Sequence, residues 1–150
     1  MKEKFKKIIH DGLSKAKAKS VDIYTFALYH DHESHFATVC IDTIESSKRS
    51  VISSNEFSKK YFMRSIMSGE LPSPGAWNAN GGRSFSLGDF ALVNVSEVKV
   101  ARLPKLPDFY IDMVLAIEET RALIEKQSTH GPQLLYCCST ENNEVGLVWS

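Results

Sequence analysis

The chain has 150 residues, of which 43% are hydrophobic and 24% charged, with 18 basic and 18 acidic side chains and a formal net charge of zero. That length suits one domain able to bury a core, and the apolar content excludes a disordered chain. The charge balance excludes a general nucleic-acid binder, which needs a clear cationic excess to meet phosphates.

The first element is a helix over about residues 3–18. Phe5, Ile8, Ile9, Leu13 and Ala16 share one face, while Lys2, Lys4, Lys6, Lys7, Lys15, Lys17 and Lys19 give it a basic surface. Residues 1–75 hold 12 basic and 9 acidic groups, and residues 76–150 hold 6 and 9. This asymmetry reads as a solvated helix face or as a site for an acidic partner.

A β-branched and aromatic run over 22–30 follows, with Tyr24, Phe26 and Leu28 on one side and Ile23, Thr25, Ala27 and Tyr29 on the other. Neither side is polar, which predicts a central strand covered on both faces. A turn at Asp31–Ser34 leads into a second strand over 35–42. Thr43–Ser50 reads as a polar connector. Ser53 and Glu56 then match a capping box opening a helix over 54–68, with Phe57, Tyr61 and Ile66 aligned and Phe62 beside them. Gly69 stops that helix, and Pro72 and Pro74 forbid its continuation.

Residues 70–89 form the longest irregular stretch. Phe90–Val100 resumes as strand, with a bend or bulge expected at Ser96-Glu97. Pro107 and Asp108 open a helix over 108–127 whose first half is apolar nearly all round, predicting deep burial. Gly131-Pro132 ends it. Leu134–Cys138, the polar turn Ser139–Asn143 and the run Val145–Trp149 form a closing hairpin. A helix followed by a hairpin thus occurs twice, and the chain reads as a single α+β domain over 1–150. The expected fold is a mainly antiparallel sheet of about five strands packed with three helices, in the order α-β-β-α-β-α-β-β.

Among chemistry-bearing residues, the run His30-Asp31-His32-Glu33-Ser34-His35 offers imidazole and carboxylate groups. His30, His32 and His35 are candidate metal ligands, in a spacing that matches no tetrahedral zinc pattern. A polar hairpin turn uses the same residue types. Cys137 and Cys138 are strand neighbours and point to opposite faces, so they cannot act as a pair. With Cys40 they make an odd number of thiols in apolar runs, as in a reducing cytoplasm. Gly81-Gly82-Arg83-Ser84 frees backbone N–H groups beside a guanidinium but lacks the spacing of a phosphate loop. Trp77 with Asn78 and Asn80 suits either a recognition surface or an anchor onto the core. There is no nucleophile elbow, metalloprotease helix or dinucleotide fingerprint, so no catalytic residue and no cofactor are assigned. No apolar run nears the roughly 20 residues of a bilayer span, and Met1–Phe5 leads into no secretory h-region, so no membrane association is expected.

The stretch Gly82–Val95, the ending Leu135-Tyr136-Cys137-Cys138-Ser139 and the run Glu144–Trp149 resemble stretches of small uncharacterised bacterial proteins, and the helix-then-hairpin opening is similar to domains of unknown function found among polymorphic-toxin and secretion-system immunity genes. The resemblance implies a cytoplasmic protein that binds a cognate toxin, and it transfers no specific residue. The expected function is therefore a non-catalytic binding protein with a protein partner. The hairpin tip (Asp31, Glu33) and the loop (Trp77, Arg83) are its contact candidates. The alternatives are a small metal-binding protein or enzyme using residues 30–35, and a structural component that self-associates through a sheet edge.

Overall fold

A computed structural model describes residues 1–70, 82–100 and 107–150. In chain order the elements are α1 (Lys2–Ala18), β1 (Thr25–Asp31), β2 (Phe36–Asp42), α2 (Ile44–Met67), β3 (Leu92–Lys99), α3 (Asp108–Glu125), β4 (Leu135–Cys138) and β5 (Leu147–Trp149). The five strands form one sheet in the order β3-β2-β1-β4-β5. This is the expected α+β fold, with three helices and a mostly antiparallel sheet.

One pairing is parallel. Strand β1 lies beside β4, with Thr25 next to Leu135 and Leu28 next to Cys138, and every other pair is antiparallel. The two helix-then-hairpin units explain this. Helices α1 and α3 pack against each other and against the sheet, so each delivers its following strand in the same direction. Each unit's second strand then folds back on the outer side.

The sheet buries both faces. On one, Phe26, Leu28, Val39, Ile41, Tyr136 and Cys138 meet Phe5, Ile9 and Leu13 of α1 and Phe109, Met113 and Ile117 of α3. Each such side chain contributes about 1.5–3 kcal/mol by leaving water. On the other face, among the described residues, Ala27, Cys40 and Cys137 are covered by Leu87 and Phe90, at a short 3-10 turn over Leu87–Asp89 and not by an α-helix. Strand β1 is therefore a central strand covered on both sides, as its two apolar faces predict.

Several boundaries differ from expectation. Helix α2 begins ten residues before the predicted 54, because Thr43 is the cap: its hydroxyl accepts the Ser46 N–H at 3.2 Å. Ser53 and Glu56 therefore lie inside a helix and form no capping box. The serine-rich stretch that reads as a connector is carried by this cap and by burial of Ser46 and Ser47, where Ser46 Oγ donates to the Asp89 carbonyl and Ser47 Oγ accepts the Ser84 N–H. Gly69 ends α2 at φ +80°, with the Glu70 N–H closing back on the Ser65 carbonyl. The irregularity in β3 falls at Asn94 (φ +49°), opposite a register shift between Val39 and Ile41, and not at Ser96-Glu97. In α3, Ile111 and Leu115 face solvent, at 50% and 42% exposure, because only one side of that helix meets the sheet.

Gly12 has a packing role. A Cβ there would sit 2.9 Å from Ser96 Oγ and 3.1 Å from Val39 Cγ1, and Ser96 Oγ donates to the Ile8 carbonyl at 2.6 Å. The helix can lie this close to β2 and β3 only without a side chain. Gly12→Ala gains about 1 kcal/mol of helix propensity but forces apart a packed contact worth more. A net loss of about 1–2 kcal/mol is expected in denaturant unfolding, and a gain would refute the packing argument.

Candidate functional site

The hairpin between β1 and β2 is built by Asp31. Its carboxylate accepts the Glu33 and Ser34 N–H groups at 2.9 and 3.1 Å and the Ser34 hydroxyl at 2.6 Å. The Ser34 hydrogen bonds hold the Asp31 carboxyl below its usual range. Asp31 is thus occupied by its own turn, while Glu33 is exposed.

His30 is buried at 2% exposure. Its N–H donates to Ser139 Oγ at 2.9 Å, and its Nδ1 lies 3.3 Å from the Tyr110 hydroxyl. Its ring centroid is 4.4 Å from that of His32 and 4.7 Å from that of Phe109. The two imidazoles lie ring against ring instead of converging on a point, and the His35 backbone takes the left-handed conformation at φ +60°. Among the described residues no group of three or more His, Cys, Asp or Glu is placed to hold a metal ion.

Burial, reinforced by the neighbouring His32, pushes His30 down from 6.5 to about 4. The unfolded chain takes up this proton first. The stabilisation from keeping His30 neutral is therefore complete above about pH 6.5 and is lost as pH falls towards 4. Unfolding free energy should drop by about 2–3 kcal/mol across that window. In His30→Gln the slope should flatten, and an unchanged slope in the variant would refute the assignment.

The thiols fill space. Cys138 belongs to the main core, whereas Cys137 and Cys40 lie on the opposite sheet face. Burial raises all three, and Cys138 is pushed up to about 12. Thiols so placed stay protonated at neutral pH and are poor nucleophiles.

Arg83 ties the segment covering the second sheet face to the start of β1. Its guanidinium donates to the Tyr24 carbonyl at 2.6 Å, to Thr25 Oγ1 at 3.0 Å and to the Gln133 carbonyl, and it stacks 3.5 Å from the centre of the Tyr24 ring. The same segment is held by the Ser84 N–H donating to Ser47 Oγ and the Ala91 N–H donating to the buried carboxylate of Asp42. Arg83 lies at one end of β1 and the Asp31–Glu33 turn at the other, about 20 Å away along six residues of strand. These contact candidates do not form one surface. Trp77 lies outside the described residues. Arg83→Ala should lower stability by about 2 kcal/mol by stranding its acceptors, whereas Glu33→Ala should stay within about 0.5 kcal/mol. Equal effects would show that Arg83 is no strap.

Among the described residues, α2 carries more exposed large apolar side chains than any other element. Its buried residues are Ser46 and Ser47, in its first turn. Further along, Ile52, Phe57, Tyr61, Met63, Ile66 and Met67 are 40–84% exposed. Phe57 and Tyr61 are one turn apart on one side; Ile52, Met63 and Ile66 line another. The helix carries five basic residues (Lys48, Arg49, Lys59, Lys60, Arg64) and two acidic ones (Glu45, Glu56). At its base a depression of about 410 Å³ is lined by Arg49, Ser50, Ser53, Ser54, Phe57 and Asp89. Ile66, nine residues beyond Phe57, projects from the other side of the helix instead of aligning with Phe57 and Tyr61. The periodicity of these apolar residues is visible in sequence. Their exposure is not, because an apolar stripe normally faces a core.

The lysines of α1 differ from those of α2. Lys2 and Lys6 reach Glu119 of α3 at 2.5 and 3.0 Å, and Lys15 Nζ donates to the Val95 carbonyl at 2.7 Å. Part of the basic face of α1 is thus answered within the chain. No described helix is long and apolar enough to cross a membrane. Comparison with protein-family models, with curated proteins and with solved structures finds no match.

Proposed function

We propose that the protein is a non-catalytic, cytoplasmic binding module, an immunity protein that neutralises a cognate bacterial toxin, and that α2 is its docking element. The observation that carries this reading is the set of six large apolar side chains left in solvent along one basic helix. Monomeric proteins rarely leave this many large apolar side chains in solvent along one helix without a partner. A helix with apolar anchors and a cationic flank fits an apolar groove rimmed by carboxylates. The partner is therefore a protein with an acidic-rimmed groove, and Phe57 and Tyr61, one turn apart on the same side, are the anchors that enter it.

The reading also explains the absence of reactive groups. Among the described residues the thiols are buried and protonated, and His30 is neutral and enclosed. Such groups serve packing.

The test is co-expression with the product of a neighbouring gene that arrests growth. The protein should restore growth and co-purify with that product. Phe57→Glu combined with Tyr61→Glu should weaken binding at least about 100-fold, as loss of two anchors does. Its unfolding free energy should change by less than about 1 kcal/mol, because both side chains are already in water. Full rescue by the double variant would exclude α2 as the docking element. Failure to bind or rescue from any linked gene product would exclude the immunity reading.

A further inference from the structure

Among the described residues, strand β3 is an outer strand of the sheet and pairs with β2 alone. The Val100 N–H donates to the His35 carbonyl at 2.9 Å. By the alternation of an antiparallel ladder, the backbone groups of Ser96 and Val98 then face β2, and those of Val95, Glu97 and Lys99 face outwards. The first half of this edge is guarded. Asn94 breaks the ladder at φ +49°, and Lys15 Nζ occupies the outward Val95 carbonyl. Bulges and lysines at such places prevent strand addition. The guard stops at Val95. Among the described residues, no hydrogen bond to the outward backbone groups of Glu97 and Lys99 is found.

We propose that residues 96–100 pair with the same segment of a second copy of the chain, antiparallel about a two-fold axis at Val98, joining two sheets into one. The charge pattern selects this register. It sets Glu97 opposite the partner's Lys99 and Lys99 opposite the partner's Glu97, and both side chains are exposed. Both residues also direct their backbone groups outwards, so the two ion pairs coincide with hydrogen-bonded positions. A two-fold axis at Glu97 would set like charges face to face. An axis at Ser96 would need the Val95 carbonyl that Lys15 occupies. The pairing is short and the dimer correspondingly weak. The 31–35 turn flanks the axis, because Phe36 pairs with Lys99. Helix α2, leaving the sheet after Asp42, starts from the opposite end of β2. Dimerisation therefore stands or falls independently of docking through α2.

Sedimentation velocity across a wide concentration range tests the proposal. The wild type should pass reversibly from monomer to dimer. Glu97→Lys and Lys99→Glu should each weaken the dimer about tenfold or more, since each converts two attractive cross-strand pairs into repulsive ones. The double variant E97K/K99E should restore it. In the wild type, hydrogen exchange at the Glu97 and Lys99 amides should slow as concentration rises, a readout that needs no variant. A monomer at every concentration, a dimer indifferent to both single reversals, or a double variant that stays monomeric would each overturn the proposal. Indifference to the reversals would assign association to another surface, such as α2 or the three-residue edge strand β5.

Discussion

The fold depends on the burial of β1 from both sides. A central strand with two apolar faces needs two covers, and the chain supplies them by different means. Helices α1 and α3 close one face with a continuous aliphatic and aromatic core. The other is closed by an irregular segment carrying Leu87 and Phe90. Such a segment has little shape of its own. Its position is imposed by polar ties: Arg83 onto Tyr24 and Gln133, Ser84 onto Ser47, and Ala91 onto Asp42. One face is held by dispersion and exclusion of water, the other by directed hydrogen bonds. The Arg83 guanidinium, a contact candidate in sequence, is also one of the ties that hold this cover in place.

The electrostatics divide in a related way. A chain of zero net charge hides two basic helices with different fates. The lysines at the start of α1 meet Glu119 on α3 and help lock two core helices together. Such exposed pairs contribute little individually. The basic groups on the outer length of α2 lie beside exposed apolar side chains. Net charge therefore says little about partners here, and local charge beside local apolar surface says more.

Much of the architecture was readable from periodicity. The alternation in Ile23–Tyr29 announces a strand buried on both faces, and the repeated helix-then-hairpin pattern announces two units on one sheet. What periodicity could not supply was the relation between the units, because parallel pairing of β1 with β4 joins segments about 110 residues apart. The capping box at Ser53 failed for a physical reason. A cap works only where a helix begins, and Thr43, directly after β2, begins it first. Deep burial of Ile111 and Leu115 failed because an apolar stretch of helix still has one side too many for a single sheet. At the candidate site, the His30 run was visible as chemistry, yet only the packing of Phe109 and Tyr110 around it shows an enclosed, neutral ring.

The parallel seam has a consequence for how the molecule comes into being. During synthesis β1 and β2 emerge early and can close their hairpin at once. The neighbour that completes β1 on its other side is made about a hundred residues later. Until β4 arrives, a strand destined for burial on both faces presents an open ladder to its surroundings, and long-range closure of this kind is slow. The guarded edge of β3 protects only the finished molecule. In the nascent chain the vulnerable edge is the strand that ends up at the centre.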